Sequence, residues 1–90
     1  MNKNELITKV AETSSLTKTD AARAIDGVFD VITSSLQKGE EVRLTGFGTF
    51  AITRRKATTG RNPRTGAAIQ IPASNQPKFR PGKGLREAVN

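Results

Sequence analysis

Apolar residues in the first half of the chain recur with a helical period. Leu6, Ile7 and Val10 stand three and four apart and line one face of a helix expected from about Lys3 to Thr13, with Asn2 as its cap. Thr13, Ser14 and Ser15 interrupt it. Thr17 is the next start signal, because Asp20 can return a hydrogen bond in a capping box and its charge sits at the positive end of the helix dipole. From there to about Lys38, Ala21, Ala22, Ile25, Val28, Phe29, Ile32 and Leu36 fall within an arc of about 120°, which Ala24 and Val31 widen towards about 180°. So wide an apolar face is more than one short helix can cover. Gly39 ends the helix. Gly27, inside it, costs about 1 kcal/mol relative to Ala and is either a tolerated surface residue or a point of close helix packing.

The period then changes. Glu41-Val42-Arg43-Leu44-Thr45 alternates polar and apolar as a half-buried strand does, and Thr49-Phe50-Ala51-Ile52-Thr53 resumes the alternation after Gly46-Phe47-Gly48, which predicts a tight hairpin. Beyond Thr53 the apolar alternation fades. Arg54, Arg55 and Lys56 lead towards Gly60-Arg61-Asn62-Pro63-Arg64-Thr65-Gly66, a turn from which Ile69, Gln70 and Ile71 return as a strand. About eight residues a side at ~3.3 Å each make a ribbon of roughly 25 Å. With only Ile69 and Ile71 as substantial apolar groups, it is expected to be poorly ordered alone and to order on a ligand. Pro72 interrupts pairing and bends the ribbon where it rejoins the body, Phe79 returns the chain to the core, and Lys83 to Val89 form a short helix with Leu85, Ala88 and Val89 facing inward.

Charge is what turns this outline into a binding surface. Residues 1 to 45 hold six basic and seven acidic groups, whereas residues 46 to 90 hold nine basic and one acidic. Thr53 to Arg86 carry nine Lys and Arg with no Asp or Glu, so the +7 net charge is concentrated on the ribbon and its return, and a polyanion is the expected partner. A DNA-reading helix-turn-helix is disfavoured, because Asp26 and Asp30 occupy the outer face of the second helix with only Arg23 beside them. The chain has no Cys and no His, so neither a disulfide framework nor a zinc site is expected, and no metal or cofactor is implied. An enzyme is not expected: Ser14, Ser15, Ser34, Ser35 and Ser74 have no evident base, and seven of the eight carboxylates lie in the non-basic half. Gly46-Phe47-Gly48 and Pro81-Gly82-Lys83-Gly84 lack the further residues of nucleotide-binding loops and read as turns. There is no signal-peptide pattern and no run of eighteen apolar residues, so a soluble cytoplasmic chain without membrane partners is expected.

Gly46-Phe47-Gly48-Thr49-Phe50, the Gly60 to Gly66 turn and Phe79-Arg80-Pro81-Gly82-Lys83 together resemble the bacterial histone-like DNA-binding proteins, the HU and integration-host-factor family, over essentially the whole chain. The resemblance implies an α+β fold: a helix-turn-helix base, a three-stranded antiparallel sheet, an extended β-ribbon arm and a short C-terminal helix, assembled as an intertwined homodimer. Residues 1–90 then make one domain, with 1–52 as the dimerisation body, 53–76 as the basic arm, and 77–90 as the return strand and C-terminal helix. Phe29, Leu44, Phe47, Phe50 and Phe79 are its expected dimer core; for Phe29 an ordinary contact within one chain is an equal alternative.

The resemblance also implies non-sequence-specific binding and bending of double-stranded DNA by a nucleoid-associated architectural protein. Arg54, Arg55, Lys56, Lys78, Arg80 and Lys83 neutralise phosphates on this reading, while Arg61 and Arg64 enter the minor groove. By the same resemblance Pro63 wedges between base pairs, with turn formation as the alternative or an accompanying role. Asn62 either meets base-edge acceptors or starts the turn, and Lys3 is either a flanking phosphate contact or a solvated helix-start residue. Bent, nicked or flexible duplexes are the preferred ligands. The alternatives are a sequence-specific subunit of the integration-host-factor type, pairing with a paralogue as a heterodimer, and an RNA-binding protein. The chain's end at Asn90 and its acid-free arm set it nearer HU, and the lack of Tyr and Trp argues against stacking on single-stranded bases.

Overall fold

The computed structural model describes residues 1–90 as two units, Met1–Ser34 and Ser35–Asn90, with the last turn of the second helix belonging to the latter. Helix α1 spans Lys3–Ser14. The Asn2 side chain caps it, Oδ1 accepting from the Glu5 N–H at 2.9 Å, as the start signal predicts. Ser15 ends it in a left-handed conformation (φ 56°) that lets the Leu16 N–H reach back to the Ala11 carbonyl. Helix α2 spans Lys18–Gln37, and the Asp20 N–H donates to Thr17 Oγ1 at 3.1 Å, the Thr17 half of the expected capping box. At its far end the Glu40 and Gly39 N–H groups return to the Ser35 and Leu36 carbonyls, so Gly39 terminates the helix as expected.

The helical unit buries only Ala11, Ala21 and Ile25. Ala22 and Ile32 are half-buried, whereas Ala24, Val28, Phe29 and Val31 stay exposed. The apolar stripe of α2 is thus as wide as its sequence predicts and, in one chain, largely uncovered. No neighbour lies within 4 Å of a Cβ built at Gly27, which favours the tolerated-surface reading of that residue within the single chain. Neither helix is long and apolar enough to cross a membrane.

In the second unit strands β1 (Val42–Leu44), β2 (Gly48–Arg55) and β5 (Ser74–Pro81) form an antiparallel sheet in the order β1-β2-β5, and β3 (Thr58–Arg61) pairs with β4 (Ala68–Ile71) as a separate ribbon. The hairpin at Gly46-Phe47 is present, closed by the Phe47 N–H on the Leu44 carbonyl at 2.9 Å. Phe79 stands between two other rings, 5.5 Å from Phe47 and 4.8 Å from Phe50 between centroids, both pairs tilted. Gly48 makes room for it: a Cβ there would lie 2.5 Å from Phe79 Cζ and 2.7 Å from the Arg80 carbonyl.

Several expectations are corrected. The sheet continues past Thr53 to Arg55, which pairs with Ser74, so the return strand starts ahead of residue 77. The ladder then breaks on both sides at once, at Lys56-Ala57 and Pro72-Ala73, before Thr58 pairs with Ile71; Pro72 lacks the N–H that pairing needs. The ribbon beyond pairs Thr58 to Arg61 with Ala68 to Ile71, a register that does not bear on its expected ordering by a ligand. Helix α3 (Lys83–Ala88) stops short of Val89; Leu85 alone is half-buried, while Ala88 is exposed and Val89 is 75 % exposed. Phe79 keeps 39 % of its surface open and Phe47 49 %. No large side chain anywhere is fully buried.

Candidate nucleic-acid interface

Side chains alternate across a strand, so the pairing register sorts the basic residues onto faces. Phe50 and Ile52 of β2 share a face with Phe79 and Pro77 of β5 and with Val42 of β1. Arg54 belongs to this same face and donates from Nη1 to Asn75 Oδ1 at 3.3 Å. The opposite face carries Thr49, Ala51, Thr53 and Arg55 of β2, Lys78 and Arg80 of β5, and Arg43 of β1. The consecutive cations Arg54 and Arg55 therefore point to opposite sides of the sheet. Lys56 lies in the break between sheet and ribbon and is exposed.

The ribbon is two-faced as well. Thr58, Gly60, Ile69 and Ile71 share one side, where Ile71 lies over Gly60, its Cδ1 3.0 Å from a Cβ placed there. Thr59, Arg61, Ala68 and Gln70 share the other. At the tip the Asn62 N–H donates to the Ala67 carbonyl and the Gly66 N–H to the Asn62 carbonyl, each at 2.8 Å, while Asn62 Oδ1 accepts from the Arg64 N–H at 2.8 Å. This is the turn role foreseen for Asn62. Its amide Nδ2 keeps its donors free, so a contact to acceptors on base edges is still available. Gly66 takes φ +70°, a conformation that would strain a residue bearing Cβ. Closed on both sides, the loop presents Pro63 and Arg64 exposed at its apex.

Three of the basic residues picked out from the sequence are already engaged. Arg80 Nη2 pairs with Glu41 Oε1 at 3.0 Å, and Lys83 with Glu87 at 3.8 Å, one helical turn on. Lys3 belongs to the helical unit, where Nζ meets Asp26 Oδ1 at 2.6 Å with both side chains about half exposed, a surface pair compatible with either role expected of it. Arg55, Lys56, Arg61, Arg64 and Lys78 form no ion pair within the chain. Arg43 is the residue that sequence reading passed over: it is exposed, unpaired and on the face of Lys78 and Arg80. Its place in the polar phase of Val42-Arg43-Leu44 was the available signal. No group of carboxylates fit to hold a metal ion occurs. What the arrangement offers is a set of solvent-facing cations leading to an exposed Pro63 in a hydrogen-bonded turn, a surface suited to a polyanion.

The bacterial DNA-binding protein family model matches residues 1–90. The chain is 59 % identical to DNA-binding protein HRL53 of Rhizobium leguminosarum, with 100 % of this chain and 99 % of that protein aligned. It is 57 % identical to DNA-binding protein HU of Geobacillus stearothermophilus, covering 99 % of each. Among solved structures, a chain of an Anabaena HU–DNA cocrystal matches with a TM-score of 0.94 at 43 % identity, covering 99 % of this chain and 97 % of that one. HU from Thermotoga maritima matches with a TM-score of 0.71 at 34 % identity, over the full length of both.

Proposed function

The chain belongs to the bacterial DNA-binding protein family, and from that premise we propose that it binds and bends double-stranded DNA with little regard to sequence, as a nucleoid-associated architectural protein. The observation that carries this reading is the ribbon: an acid-free, cation-bearing hairpin whose closed turn holds Pro63 outward between Arg61 and Arg64. Arg61 and Arg64 enter the minor groove, where the potential is most negative, and Pro63 intrudes between base pairs. Arg55, Lys56, Lys78, Arg80 and Lys83 neutralise phosphates, as does Arg54 from the other face of the sheet. The minor groove offers a degenerate pattern, so affinity follows deformability, and nicked or bent duplexes bind best.

The working form is a pair of copies. Val28, Phe29 and Val31 in the helical unit, and Leu44, Phe47, Phe79 and Val89 in the other, are exposed in a chain that fully buries no large side chain. A second copy burying these residues supplies the core that one chain lacks. Phe50, half-buried beside Phe79, completes that shared core.

Binding measured against salt tests the reading. With about six to eight phosphates neutralised per pair of copies, log K falls against log salt with a slope of roughly −5 to −7. A slope near zero removes the electrostatic account. Competition with structured RNA and with one defined duplex site reads out the alternatives: preference for RNA, or for one sequence over random DNA, overturns the choice of ligand.

A further inference from the structure

Arg43, on the edge strand β1, pairs across the sheet with Thr49, which in turn pairs with Arg80. The three occupy one row on the face opposite the phenylalanines, with Lys78 one step along β5 beyond an intervening residue. Ala51, opposite Lys78, is only 4 % exposed and puts no more than a methyl group at the middle of that face. Long side chains on either edge can therefore lie across the sheet, and Glu41 does so to meet Arg80 at 3.0 Å. The one carboxylate paired on this face is thereby committed to Arg80. Arg43 is left exposed, with no ion pair.

We propose that Arg43 is a phosphate contact of the duplex interface, carrying that interface from β5 across to the β1 edge of the sheet. The inference rests on the reading of the protein as a duplex-DNA binder. Two strand spacings put the Arg43 and Arg80 backbones about 10 Å apart, so that two flexible side chains converge on one stretch of DNA backbone. A guanidinium fork grips phosphate oxygens in pairs, and an exposed Arg without a carboxylate partner loses no ion pair in doing so. Arg80 must share its charge with Glu41, which makes Arg43 the more available cation of the row.

The test is the salt dependence of binding to a nicked duplex by the full chain and by Arg43→Gln. Each Arg43 withdrawn lowers the steepness of log K against log salt by about 0.9, hence by about 1.8 for two copies, and weakens binding several-fold at low salt. Arg43→Lys restores the slope, and Arg23→Gln, which removes the same charge from α2, leaves it unchanged. Thermal unfolding confirms that each variant is folded; Arg43→Thr, suited to a strand, replaces the Gln variant should that fail. A parent slope that is steep and matched by Arg43→Gln overturns this inference alone, as does an equal loss in Arg23→Gln or no recovery in Arg43→Lys. A parent that does not bind duplex overturns the DNA reading with it.

Discussion

The β2–β5 ladder and the β3–β4 ribbon are both antiparallel pairs separated by two residues a side, yet they are held by different forces. In the first, Phe79 packs between Phe47 and Phe50 above Gly48, and the pairing follows from burial of aromatic area. In the second, the apolar side amounts to Ile69 and to Ile71 lying over Gly60, and the hairpin depends on its turn: Asn62 bonding both ways and Gly66 with positive φ. Aromatic packing thus sits in the β2–β5 sheet, whereas the β3–β4 ribbon relies on its turn, although cations line both. On the proposed function, damage to the sheet is expected to spare the turn around Pro63, and changes at the tip are expected to leave the sheet folded.

Replacing Phe79 by Ala removes the ring that joins the cluster and should cost about 3 kcal/mol of unfolding free energy, read by chemical denaturation. Ile69→Ala in the ribbon, on a residue already 42 % exposed, should cost under about 1 kcal/mol in the same assay. Equal losses would show that the ribbon contributes to the core as the sheet does. Next in size is the paired change Arg61→Ala with Arg64→Ala, expected to weaken duplex binding by about tenfold or more and to flatten the salt slope, with the unfolding midpoint unmoved. Pro63→Ala should reduce bending, measured by end-to-end energy transfer on a labelled duplex, more than it reduces affinity. Unaltered bending would assign Pro63 to the turn alone. The smallest change is expected within the helical unit: Ser15→Gly relieves a left-handed residue and should stabilise that unit by about 0.5 kcal/mol without altering DNA binding.

Most of the architecture was legible along the chain because its signals are local. Asn2, Thr17 and Gly39 mark helix limits through hydrogen bonds only a few residues long. The Asn62-Pro63-Arg64-Thr65-Gly66 turn is specified by residue types that suit its backbone. The C-terminal helix was less legible. Leu85, Ala88 and Val89 look like one inward face, but the helix ends at Ala88, and a single chain offers nothing to cover Val89. The apolar pattern there anticipates a surface that one copy does not contain.

Periodicity, turn chemistry and the concentration of net positive charge in the second half are thus properties of short stretches, and they give the order of elements and point to a polyanionic ligand. Which cations share a face is another matter. That Arg54 and Arg55 diverge, that Arg43 joins Lys78 and Arg80, and that Glu41 and Asp26 take up Arg80 and Lys3 follows from strand register and from the folding back of distant segments. A one-residue slip in pairing would exchange every face, so these partnerships exist only once the sheet and the helical unit are assembled.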